Sequence, residues 1–141
     1  MNNYTKFKKN NVVIIIKYLF HIINILLIIF YLYPGSIFGC LMYNDCTIQP
    51  QLTKDFLENS FSSNHVYAFA ILSMLGFIAF SEKKVFIKTT LYLFFISIFL
   101  ELTHLIIPVR GFEIKDVAGN VLGVVVSLII FLIIKLGKKN E

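Results

Sequence analysis

Four long runs of apolar residues, almost free of charge, restrict this chain more than anything else in it. They are Val12 to Tyr33, His65 to Phe80, Val85 to Ile107 and Val117 to Leu136. About 20 apolar residues in a helix cross a bilayer. The second run is short, but residues on either side extend it. In lipid each backbone N–H and C=O must be satisfied within its own segment, which favours helices over strands. The sequence therefore predicts an all-α fold, an integral membrane four-helix bundle with antiparallel neighbours. Helices are expected at about 12–33, 64–80, 85–107 and 116–136. In 141 residues there is room for a single membrane domain. Nothing is left over for a soluble domain of useful size, and no internal repeat is visible.

The formal net charge is +5. In a soluble chain that balance would suggest nucleic acid. Here most of the lysines flank apolar runs, so membrane topology accounts for them and no nucleic-acid partner is expected. Lys6, Lys8, Lys9, Lys83, Lys84, Lys88, Lys135, Lys138 and Lys139 collect on one side, and only Lys54, Arg110 and Lys115 on the other. Loops rich in Lys and Arg stay in the cytosol. The expectation is a multi-pass protein of the inner (cytoplasmic) membrane, N-in and C-in, whose partner is the lipid bilayer. Its outer loops would be 34–63 and 108–115. The first run is longer than the 7–15-residue core of a signal peptide, so it reads as a retained span. Ile37-Phe38-Gly39-Cys40 faintly resembles a lipoprotein cleavage box, which Phe38 fits badly. Pro34-Gly35 breaks the first helix. Cys40 and Cys46 share the longer outer loop, and the sequence leaves open whether they pair.

A polar group inside an apolar run costs free energy unless it meets a partner or a water-lined cavity, so it marks a candidate site. Glu101 and His104 close the third run, Asp116 and Asn120 open the fourth, Arg110 lies between, and His65 opens the second. The expected topology places all six in the outer leaflet or at its surface. Ser97, Glu101 and His104 share one helix face, and Asp116, Asn120, Gly123 and Ser127 share another. Gly119 and Gly123 form a G-x-x-x-G, which lets a neighbouring backbone approach for helix packing. Lys17, His21 and Asn24 line the first helix at i, i+4 and i+7. Lys17 can snorkel to the cytosol, and His21 and Asn24 are expected to bond within the bundle.

These residues resemble the VanZ-like family of small polytopic membrane proteins, named after a teicoplanin-resistance determinant. His65 matches the family's helix-opening His. Glu101-Leu-Thr-His104 matches its Glu-x-x-Gln with His in the last place. Arg110 and Asp116-Val-Ala-Gly-Asn120-Val-Leu-Gly123 match the remainder. Phe61-Ser62-Ser63-Asn64 stands where the family often has Asp-Lys. The resemblance covers residues 60–134. It implies an outward-facing polar pocket and an antibiotic-resistance role at the cell envelope.

The sequence supports three functions. In the first, the pocket binds an anionic envelope amphiphile, a lipid-linked ligand or a glycopeptide-type antibiotic. Arg110 would hold the anion by its planar fork, and Glu101 and Asp116 would orient His65, His104 and Arg110. In the second, an intramembrane hydrolase or transferase acts on a lipid-linked headgroup, with His65 or His104 as base and Glu101 as its partner. No Ser or Cys nucleophile stands at an obvious spacing, and whether there is catalysis at all is left open. In the third, a structural or assembly subunit uses its polar residues only to lock helices. Glu101-x-x-His104 is half of a two-metal bundle motif whose second copy is missing, so neither a metal nor another cofactor is expected.

Overall fold

The computed structural model describes residues 3–57 and 60–137, with side chains from residue 11 onward. Glu58, Lys138, Lys139 and the side chains of Lys6, Lys8 and Lys9 lie outside that description. Among the described residues the fold is all helical: α1 (Asn3–Leu32), α2 (Ile37–Tyr43), α3 (Ser63–Ala79), α4 (Lys83–Thr103) and α5 (Ile114–Gly137). Three segments are long and apolar enough to cross a membrane: Asn11–Leu32 of α1, Lys83–Thr103 of α4 and Ile114–Gly137 of α5. The second expected span, α3, has 17 residues, about 26 Å at the usual helical rise. Even so, α3 is the most enclosed helix, and Phe69, Leu72 and Phe77 are fully buried along it.

Helix α2 was not expected. Ser36 starts it by accepting from the Gly39 N–H, and Asn44 ends it in the left-handed conformation. Cys40 and Cys46 are joined by a disulfide, which closes the α2 turn on itself. Beyond it the loop is tied to the start of α3. The Asp55 carboxylate accepts the Ser63 N–H, and the Asn64 amide accepts from the Leu52 N–H and donates to the Pro50 carbonyl.

Helix α4 stops four residues before its expected end at Ile107. The N–H groups of Leu105 and Ile106 donate to carbonyls three residues back, at Leu102 and Thr103. Pro108 disfavours helical geometry in the residue before it, so the last turn tightens and ends.

Helices α3 and α5 start at the same end and run side by side, with α1 and α4 antiparallel to them. Ser62 donates its N–H to the Lys115 carbonyl at one end, and Phe77 packs on Phe131 towards the other. The glycine face of α5 seats against α3. A Cβ on Gly119 would stand 2.7 Å from the Ser62 carbonyl oxygen, and one on Gly123 would stand 2.5 Å from that of Val66. Side chains at those positions would hold the helices apart, so their absence sets the spacing. The core is an aromatic and aliphatic column of Phe20, Leu27, Tyr31, Phe69, Leu72, Phe77, Leu93, Leu100 and Val124. The outer faces are apolar as well. Ile15, Ile22, Leu91, Phe95, Ile129 and Ile133 are all exposed. Polar groups inside and apolar groups outside suit a solvent of acyl chains.

Candidate functional site

The polar residues picked out in the sequence gather where α3 and α5 begin and where α1 and α4 end. Glu101 and Asn120 are fully buried, and His104 and Asp116 nearly so. His65 is partly exposed.

Asn120 is the hub. Its Nδ2 donates to the Ser97 carbonyl at 2.9 Å, which assigns the amide orientation. Its Oδ1 accepts from the Tyr31 hydroxyl at 2.7 Å and lies 3.0 Å from Nδ1 of His65. Oδ1 cannot donate, so His65 carries a hydrogen on Nδ1. Nε2 of His65 faces Oδ2 of Asp116 at 3.5 Å.

His104 serves the end of α1. Its Nε2 meets the Tyr31 carbonyl at 3.1 Å, and its Nδ1 meets Oε1 of Glu101 at 2.9 Å. A carbonyl only accepts, so Nε2 bears hydrogen, and a further proton is shared between Nδ1 and Glu101. The His104 ring also stacks on Tyr31 at 5.4 Å. Arg110 serves the same helix end. Its Nη2 donates to the Phe30 carbonyl at 2.7 Å and its Nε to that of Tyr33 at 3.4 Å. The last turn of a helix leaves carbonyls without internal partners. Here Arg110 and His104 supply those partners from across the fold. Burial pushes the Arg110 guanidinium below its usual range, against the opposing pull of Glu101, Tyr31 and Asp116. Arg110 forms no ion pair with Asp116 among the described residues, and His65 takes that place.

A polar cavity of about 270 Å³ opens over this cluster. Among the six residues from the sequence reading, His65 and Asp116 line it. Glu101, His104, Arg110 and Asn120 lie behind or beside them. Gln49, Gln51, Asn64, Glu113 and Lys115 form further parts of the wall. Lys115 is held by Asp55 at 3.5 Å and Glu113 at 3.1 Å.

Tyr31 was not among the expected site residues. A signal for it exists: Phe20, Asn24, Leu27 and Tyr31 follow helical spacing, and three of the four are buried. Gln49 and Gln51 carry no such signal, because a loop has no periodicity. Lys17, His21 and Asn24 belong elsewhere. Asn24 donates to the Tyr92 hydroxyl at 2.6 Å, and Lys17 lies over the Phe80 ring.

No curated protein and no solved structure matches the chain. The VanZ/LLP1 family pattern matches residues 3–135, which takes in α1 and α2 as well as the helices that bear the motif residues. The match spans nearly the whole chain, and the apolar helices make it a membrane protein: the chain belongs to the VanZ/LLP1 family.

Proposed function

We propose that this protein is a four-helix bundle in the cytoplasmic membrane, single-domain and multi-pass, with both termini in the cytosol. The end that carries His65 faces outward, and its cavity receives the polar headgroup of an envelope ligand. The lysine distribution supports this orientation. The Cys40–Cys46 disulfide supports it independently, because such bonds persist in oxidising compartments.

The observation that carries the reading is a polar cavity at the mouth of helices whose outer faces are apolar. Its size suits a headgroup fragment rather than a whole drug-sized molecule. Its chemistry narrows the ligand. Arg110 is engaged with α1 carbonyls, Lys115 with carboxylates and Asn64 with loop backbone, while Gln49 and Gln51 offer amides. A hydroxyl- and amide-rich headgroup fits this wall better than a bare anion. Glycopeptide-type antibiotics and lipid-linked wall precursors both carry such groups. Sequestering the former, or shielding the latter, gives a resistance role.

The test is equilibrium binding of a labelled glycopeptide and of a lipid-linked muropeptide to the protein in nanodiscs. Saturable binding of one of them is expected, weakened about tenfold by Gln51→Ala, the effect of losing about one good hydrogen bond. If the folded protein binds neither, the reading is wrong.

A second reading is favoured by the His65–Asp116 pair. Asn120 and Tyr31 orient the ring, and Nε2 reaches the cavity floor as a general base would. The mass of a bound ligand after incubation separates the two: binding leaves it unchanged, and hydrolysis or transfer alters it.

A further inference from the structure

We propose that His65, Glu101 and Asp116 form a binding site for one divalent transition-metal ion, zinc foremost, at the floor of the cavity. One ligand atom from each lies within 4.8 Å of the other two. Nε2 of His65 lies 3.5 Å from Oδ2 of Asp116, and Oε2 of Glu101 lies 3.9 Å from Nδ1 of the same ring, so Glu101 must shift towards Nε2 to join the shell. Zinc bonds to nitrogen and oxygen are about 2.0–2.2 Å, so ligand atoms around a tetrahedral ion stand roughly 3.3–3.6 Å apart. A contraction of about 1 Å at the widest pair closes the shell.

Among the described residues, hydrogen bonding leaves Oε2 of Glu101 without a donor and His65 Nε2 facing Asp116 as an acceptor. His65 uses Nδ1–H towards Asn120 and Tyr31, so neutral His65 turns a lone pair on Nε2 towards Oδ2 of Asp116. Two lone pairs at that distance repel unless a cation or a proton lies between them. Protonating His65 would satisfy Asp116, but it would leave Oε2 of Glu101, which is fully buried and has no hydrogen-bond partner. A metal ion satisfies all three at once.

The surroundings match what a metal site needs. Ligands are held in place by outer hydrogen bonds, which fix the imidazole tautomer and the carboxylate rotamer. Asn120 and Tyr31 do this for His65, and His104 and the Glu113 N–H do it for Glu101. The three ligands come from α3, α4 and α5, so the site exists only when those helices have packed. Because His65 and Asp116 line the cavity, the remaining coordination positions face it. These are where a hydroxyl of a headgroup would bind. The expectation of no metal rested on the missing second copy of the Glu101-x-x-His104 motif. The present set takes only Glu101 from that motif, since His104 acts on Glu101 rather than on the ion.

The test uses the full chain in detergent, stripped with a chelator and then titrated with zinc alone. Binding is read by calorimetry and by elemental analysis after desalting. About one zinc per chain is expected, with affinity reduced roughly 100-fold by Asp116→Asn and roughly tenfold by Tyr31→Phe, as for an outer-shell residue. Zinc should also raise the melting temperature of the wild type, a readout that needs no variant. A folded wild-type chain that takes up less than about 0.1 zinc at 100-fold excess, with an unmoved melting temperature, overturns the site. So does full zinc uptake by the folded Glu101→Gln/Asp116→Asn double variant. No pocket ligand enters this test, so its failure leaves the headgroup reading standing, and the converse holds.

Discussion

One amide, that of Asn120 on α5, ties together α4 through Ser97, α1 through Tyr31 and α3 through His65. Asn120→Ala leaves the buried Tyr31 hydroxyl without its acceptor and the Ser97 carbonyl without this donor, while Nδ1 of His65 keeps Tyr31, so it should cost about 2–4 kcal/mol. Tyr31→Phe removes one hydroxyl and leaves Asn120 bonded to His65, so it should cost only about 0.5–1 kcal/mol. Unfolding by denaturant in detergent would order the two, and equal effects would contradict the hub. Arg110 acts through geometry as well as charge. Arg110→Lys keeps the charge but loses the fork that reaches two carbonyls, so it should destabilise α1 docking nearly as much as Arg110→Ala. Complete rescue by Lys in a protease-susceptibility assay would refute that role. Val109, just before it, is β-branched and sits at φ 66. Such a residue stores strain of about 1–3 kcal/mol. Val109→Gly should therefore raise the melting temperature without moving Arg110. Glu101 with His104 was readable as a pair from their spacing alone. For Tyr31 helical spacing signalled burial but not bonding, because an aromatic residue near a membrane boundary is usual whether or not it bonds to anything.

At the scale of elements, the parallel contact of α3 and α5 governs the arrangement. Gly123→Ala places a methyl against the Val66 carbonyl and the Ala70 N–H, and backbone cannot move aside as a side chain can. It should cost about 1–3 kcal/mol by forced separation of the helices. Gly137→Ala, with nothing within 4 Å, should be neutral in the same melting assay. The G-x-x-x-G pattern announced a close approach but not the partner. Its chain neighbour is α4, joined by a short loop, yet the helix that fills the groove is α3. Helix α2 was hidden because seven residues, Cys40 of the disulfide among them, are too few to show a period.

For the whole molecule, orientation is the outstanding prediction. A cysteine introduced at Gly111, which stands in open space, should react with a membrane-impermeant thiol reagent added to intact cells. One introduced at Glu82, at the opposite end, should react only after permeabilisation. The reverse pattern would invert the bundle and place the cavity in the cytosol. The apolar runs, their number and the polar residues that interrupt them were all decided locally, because partition between water and lipid is settled segment by segment. So the all-helical fold, its apolar helices and the six polar residues that gather at one end could be read from the chain itself. Packing decided which of those residues face a cavity and which serve the fold. Hydrogen-bond partners are chosen across distances of up to 89 residues, as between Tyr31 and Asn120, and no local pattern carries that choice. Only with α1, α3, α4 and α5 in register did Arg110 and His104 become caps for another helix, and His65 and Asp116 become the floor of a pocket.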